Sequence, residues 1–186
     1  MKKSSFNLIF FGLVVIALDY CYDFLPTTYF YMGVLFVFLG ISSEVFPYLS
    51  KIKRFSKAQI QQIDSMDGIE FEEYMAYLLD KCGYQRPKIT QKSGDQGIDI
   101  IATQEELKIG FQCKRWKKKV GNKAVQEVYA GIGYYSLDKA IVITNSYYTA
   151  SARHLAKKLA VELWDRNDLI RLIENEQRID LKNSNL

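Results

Sequence analysis

Histidine and paired cysteine are what this 186-residue chain has least of. The one histidine, His154, stands apart from every motif and reads as a surface or packing residue. Cys21, Cys82 and Cys113 are widely separated and form no C-x-x-C pair, which leaves neither a zinc site nor a disulfide framework and favours a reducing compartment. A strong charge of one sign is missing too: the formal net charge is +4, compatible with a polyanionic partner but common among soluble proteins. No small-x-small cleavage pattern follows Leu18, which argues against a cleaved signal peptide, and Leu18-Asp19-Tyr20-Cys21 lacks the small residues of a lipoprotein signal.

What the chain does have is unevenly placed. Residues 1–50 hold Lys2 and Lys3 against Asp19, Asp23 and Glu44, so the excess of positive charge lies beyond them. Phe6 to Leu18 is almost wholly apolar and is extended by Tyr20, Cys21 and Tyr22, and a second apolar run spans Thr27 to Ser43. Each is near the lower end of the roughly 17–25 residues that cross a bilayer as a helix. The short link Asp23-Phe24-Leu25-Pro26 joins them, which predicts a transmembrane helical hairpin over residues 1–46. Lys2 and Lys3 precede the first span, Lys51, Lys53, Arg54 and Lys57 follow the second, and the link has no cation. The positive-inside tendency then puts both termini in the cytoplasm. Residues 47–66 read as a basic linker helix, with Ile52, Phe55, Ile60 and Ile63 at roughly helical spacing; it suits either an acidic membrane surface or solvent.

From residue 67 to 174 the patterning is that of one α/β domain. Asp67 and Glu70 resemble a capping box, followed by Phe71, Tyr74, Met75, Leu78 and Leu79 on one helical face. Strand-like runs at 85–90, 98–102 and 108–114 predict a meander, and Asn122 can cap a helix carrying Val125, Val128, Tyr129 and Ile132. Ala140 to Ile143 reads as a buried strand, giving a crossover unit. A helix with Ala152, Leu155, Ala156 and Leu159, a short strand over 161–164 and a final helix capped by Asp165 and ending near Glu174 complete the domain. Residues 175–186 read as a polar tail, too short to read bases.

Side chains alternate along a strand, so Gln112 and Lys114 share a face, Cys113 points to the other, and a neighbouring strand can bring Asp99 beside them. A carboxylate, an amide oxygen and the backbone carbonyl of Cys113 are hard oxygen donors of the kind Mg²⁺ accepts. A lysine nearby can orient an attacking water and stabilise charge on phosphorus-bound oxygens. The run Lys114-Arg115-Trp116-Lys117-Lys118-Lys119 can hold DNA phosphates, with Trp116 stacking on a base or sugar; its bland alternative is a solvated turn.

Taken together, Gly68-x-x-Phe71-Glu72, Ser93-Gly94-Asp95-Gln96-Gly97-Ile98-Asp99, Gln112-Cys113-Lys114 and Val120 to Gln126 resemble, in matching order over roughly residues 66–174, the Mrr-type restriction endonuclease domain of the PD-(D/E)xK nuclease superfamily. Glutamine in place of the usual acid is typical of that branch. The resemblance implies a restriction-endonuclease-like core, a mixed central sheet flanked by helices. It implies that Asp99 is the principal metal ligand, Gln112 the variant second ligand, Lys114 the catalytic lysine and Glu72 the first-helix acid, with Gln126 a polar contact on the following helix. Asp95 and Gln96 would shape the approach, or serve only the turn. The expected cofactor is Mg²⁺, with Mn²⁺ as a substitute, and the expected partners are DNA, the bilayer and a second copy of the chain, since one active site per chain cutting both strands favours a homodimer. The implied function is a membrane-anchored DNA endonuclease in restriction or defence. A Holliday-junction-type nuclease and a non-catalytic DNA-binding tether are the alternatives.

Overall fold

The computed structural model describes residues 3–21, 27–56, 58–91 and 96–184. Lys2, Lys57, Tyr22, the link Asp23-Phe24-Leu25-Pro26 and the turn residues Ser93, Gly94 and Asp95 lie outside the described residues. The chain divides into two compact units, Met1–Lys57 and Ala58–Leu186.

The first unit consists of helices α1 (Lys3–Cys21) and α2 (Thr28–Phe55). Its polarity is the reverse of a soluble hairpin's: Phe6, Phe10, Leu13, Leu35 and Phe38 face outward, while Ser5, Gly33 and Gly40 are buried between the helices. The contact depends on small residues. A Cβ on Gly33 would come within 2.9 Å of the Gly12 carbonyl oxygen, one on Gly40 would meet Ile9, and Ser43 Oγ lies 3.1 Å from Ser5 Oγ. Close backbone approach of this kind is how helices associate where apolar burial offers no driving force. Among the described residues one helix, α2, is long and apolar enough to cross a membrane, whereas the apolar part of α1, Ser4–Tyr20, is shorter. The second helix runs unbroken through Pro47 to Phe55, so nearly half of the expected linker belongs to it, and among the described residues of the remainder the single turn α3 (Ile60–Ile63) is helical.

The second unit is a five-stranded sheet in the order β1-β2-β3-β4-β5. Helix α4 (Gly68–Lys81) is capped as expected, with Asp67 accepting from the Glu70 N–H. It leads into β1 (Gln85–Ile89), β2 (Ile100–Gln104) and β3 (Leu107–Lys114), an antiparallel meander. Helix α5 (Asn122–Tyr135) crosses over to β4 (Lys139–Thr144), parallel to β3, and α6 (Ala150–Lys158) crosses to β5 (Glu162–Trp164), parallel to β4. Gly121 rather than Asn122 occupies the cap position of α5, and no side chain caps it. The last helix, α7 (Arg166–Ser184), runs ten residues past Glu174, through the stretch expected to be a polar tail. Asp165 does cap it, accepting from the Asn167 N–H while the Asp168 carboxylate accepts from the Asp165 N–H.

One side of the sheet buries Ile98, Val125, Val128, Val142, Ala152 and Ala156 in a single cluster. The other carries an aromatic group, with Phe111 edge-on to Tyr84 and Trp164 tilted against Phe111 at 5.8 Å between ring centroids. The sheet is therefore mixed and covered by helices, as the sequence predicts. A strand buried on both faces has little reason to carry polar side chains, and at the C-terminal end of β3 two of them stand out.

Candidate active site

β3 is buried continuously from Ile109 to Cys113, and Gln112 is only 2% exposed. Burying an amide costs a few kcal/mol unless both its ends are satisfied. Gln112 satisfies one end: Nε2 donates to Glu127 Oε2 at 2.9 Å, while Oε1 is buried without a hydrogen-bond partner among the described residues. Two residues along, on the same face, Lys114 Nζ stands 3.1 Å from Glu127 Oε2.

Asp99 arrives from β2 at the place where that strand leaves β3. Its N–H donates to the Phe111 carbonyl at 2.8 Å, just outside the paired run that ends with Ile100 opposite Phe111, where the strands diverge. Past the end of that pairing the Cys113 N–H donates to Asp99 Oδ2 at 2.6 Å. The divergence therefore holds the carboxylate against β3, and the Asp99 carbonyl in turn accepts from the Thr90 N–H at 2.9 Å.

The three residues meet in one cleft of about 340 Å³, lined by Gln96, Gly97, Asp99, Gln112, Lys114, Glu127 and Ala130. Gly97 makes the approach tight: its φ is +77° and a Cβ there would fall 2.7 Å from the backbone of Glu127. Burial alone would raise the Glu127 carboxyl, but hydrogen bonds from Gln112 and Lys114 and the charges of Lys114 and Lys123 hold it below the ordinary carboxylate range. The Cys113 thiol behind the strand is pushed well up by burial, with the charges of Asp99 and Glu72 adding to it. Glu72, half-buried on α4, thus stands near Cys113 without lining the cleft.

Gln126 is exposed on α5, and it is Glu127, one residue on, that reaches Gln112 and Lys114. Among the described residues no three of His, Cys, Asp and Glu gather as a metal-binding group. A divalent ion here would consequently need amide or carbonyl oxygen besides the Asp99 carboxylate. The orphaned Gln112 Oε1 is a hard donor of that kind, so the residues present fit Mg²⁺.

The chain then leaves the cleft as a basic turn in which Trp116, Lys117, Lys118 and Lys119 are exposed and Arg115 is half-buried. A second cleft of about 390 Å³ opens there, lined by Asp64, Trp116, Lys117, Asn145, Ser146, Tyr147 and Arg166. Its floor is fixed by residues far apart in sequence. Arg166 donates through both terminal nitrogens to Asp64 at 2.8 Å, and Asn145 donates to Asp64 while accepting from the Trp116 N–H. The Arg166 hydrogen bonds, followed by that from Asn145, hold the Asp64 carboxyl below its usual range. Tyr147 is half-exposed at this cleft, Tyr148 is buried with its hydroxyl donating to the Val142 carbonyl, and His154 is exposed.

Comparison with known proteins matches residues 63–173 to the family model Mrr_cat, described as a restriction endonuclease. A type IV methyl-directed restriction enzyme of Escherichia coli (strain K12), EcoKMrr, is 34% identical over 89 residues, 45% of this chain. The match spans 29% of that relative's length, so under a third of it is represented. Among solved structures, the DNA modification-dependent restriction endonuclease AspBHI aligns with a TM-score of 0.48 at 17% identity, over 68% of this chain and 35% of its own. A protein of unknown function, AF1548, aligns with a TM-score of 0.44 at 20% identity, over 50% of this chain and 55% of its own.

Proposed function

Because this chain belongs to the Mrr-type restriction endonuclease family, whose model covers residues 63–173, we propose that it is a membrane-anchored, Mg²⁺-dependent endonuclease that hydrolyses DNA phosphodiester bonds in restriction of foreign DNA. The observation that carries the reading is that Gln112, whose buried Oε1 has no hydrogen-bond partner among the described residues, lines the same cleft as Asp99 and Lys114.

Asp99 and Gln112 would hold the ion, with the Cys113 carbonyl as a third donor and Glu72 as an outer acid. When bound, the ion would supply charge neutralisation at the phosphate and a more acidic water. This chain's own residues do the rest. The Cys113 N–H fixes the Asp99 carboxylate in place. Lys114, its ammonium held by Glu127, brings a positive charge to where oxygen charge accumulates as the phosphodiester is cleaved. Trp116 and Lys117 to Lys119, exposed just beyond, would meet backbone phosphates and a neighbouring base, with Arg115 and Gln126 at the margin.

Anchoring is supported by the apolar exterior of the first unit, by the small-residue seam between α1 and α2, and by a mean hydropathy of 1.7 over the most apolar 18-residue stretch of α2. In this reading residues 1–46 form two spans of the inner membrane, residues 47–66 link them to the cytoplasmic nuclease over 67–174, and two copies act as a homodimer on duplex DNA. The methyl-directed relative makes methylated DNA the substrate to try first.

The test uses the full chain in detergent micelles with methylated, unmethylated and four-way-junction DNA. Cleavage should require Mg²⁺ or Mn²⁺, stop with EDTA and be lost in Lys114→Ala. Salt-sensitive binding with no cleavage by the unaltered chain would reduce the protein to a DNA-binding tether, and a preference for junctions would move it to the resolvase type. Flotation of the full chain with liposomes, resistant to alkaline carbonate, tests the anchor.

A further inference from the structure

Glu127 is the charged group of the cleft that the family motifs do not account for, and its geometry bears on how a glutamine can do an acid's work. An ionised carboxylate only accepts hydrogen bonds. The end of Gln112 that faces it at 2.9 Å must therefore be the NH₂ end, which leaves the oxygen at the other end of a planar amide turned away from α5. That oxygen is the buried atom with no partner. Without Glu127 the two ends of the amide would be nearly equivalent in shape, and no other side-chain hydrogen bond of Gln112 among the described residues would choose between presenting an oxygen and presenting an NH₂.

We propose that Glu127 is a positioning residue that locks the Gln112 amide with its oxygen toward the metal cleft. The inference rests on the nuclease reading and deepens it. The pair acts as a charge exchange across two elements: the strand carries the neutral oxygen donor, the helix carries the negative charge, and a single hydrogen bond joins them. Lys114 and Lys123, 3.1 and 3.7 Å from the two Glu127 oxygens, keep that carboxylate from swinging off its amide partner. Gly97 presses on the backbone of the same residue from the other side.

Exchanging the partners is the informative experiment. Mn²⁺ binding to the full chain in detergent is measured by electron paramagnetic resonance for the unaltered protein, E127Q, Q112E, the double variant Q112E/E127Q and D99A, with melting temperatures recorded for each. Loss of a group that orients a metal ligand typically costs 10- to 100-fold in affinity. E127Q should lose about 10-fold, because two facing amides no longer fix the flip. Q112E should lose at least as much, because two carboxylates then face each other. The double variant should return to within about 3-fold of the unaltered protein, since an acid on the strand and an amide on the helix again complement each other. A melting temperature lowered equally in E127Q and the double variant, with no recovery of Mn²⁺ affinity, would make Glu127 a packing residue and overturn the proposal. So would E127Q binding as tightly as the unaltered chain. If D99A also bound Mn²⁺ undiminished, the nuclease reading would fall with it, whereas loss in D99A alone would overturn only the role of Glu127.

Discussion

Replacing Gly97 by alanine tests the packing that brings the Asp99 turn onto the helix of Glu127. At φ +77° an L-residue pays about 1–2 kcal/mol for the left-handed region. The new Cβ would also stand 2.7 Å from Cβ, C and O of Glu127, two of them backbone atoms that a rotamer change cannot move, and overpacking of that kind costs about 1–3 kcal/mol. The sum is about 3 kcal/mol, which for a domain of this size lowers Tm by roughly 10 °C. Gly133, in the same helix, has nothing within 4 Å of the corresponding Cβ. There Gly→Ala should stabilise by about 0.5–1 kcal/mol through helix propensity. Differential scanning calorimetry of both variants gives opposite signs if the geometry is right. A Gly97→Ala protein melting within about 2 °C of the unaltered one would refute the tight approach of turn to helix.

Three further outcomes follow from the same physics. Replacing Lys117, Lys118 and Lys119 together by alanine should reduce the slope of log binding constant against log salt by up to about 3 and weaken all DNA sequences alike, as measured by fluorescence anisotropy; an unchanged slope would leave the run as a solvated turn. Cys113, with its thiol pushed well up by burial, and Cys82, pushed up to about 11, should resist iodoacetamide at pH 8 until the domain unfolds, as read by peptide mass mapping; rapid native labelling of Cys113 would contradict its burial behind the strand. Because the Asp64 carboxyl is held below 3.8, its contribution is fully present above that pH and is lost as pH falls through its lowered value. Asp64→Asn should cost about 1 kcal/mol at neutral pH, discounted for the partial exposure of the pair, and make stability less dependent on pH below about 4; an unchanged acid denaturation curve would mean the Arg166 pair contributes nothing.

The core of the candidate site was legible because strand alternation is a strong constraint: once 108–114 reads as a strand, Gln112 and Lys114 must share a face. Asp99 needed the neighbouring strand, and its register follows from the short turn between β2 and β3. Glu127 was not found, since helix patterning drew attention to Val125 and Val128. A signal did exist: Ala124 and Gly131, three residues before and four after it, are both buried, so a charged residue sits on the buried stripe of α5. The Asp64–Arg166 pair, 102 residues apart in the chain, left no local trace at all. Element ends were the weakest expectations. The basic stretch from residue 47 suggested a separate linker, yet α2 continues into it, and polar residues after Glu174 suggested a tail where α7 goes on.

The most direct measurement of the central claim is an anomalous-difference map from crystals of the nuclease unit soaked in Mn²⁺. A peak is expected in the cleft at ordinary metal–oxygen distance, about 2.1 Å, from an Asp99 carboxylate oxygen and from Gln112 Oε1. A bound ion elsewhere, or a cleft left empty at Mn²⁺ concentrations that support cleavage, would contradict the claim.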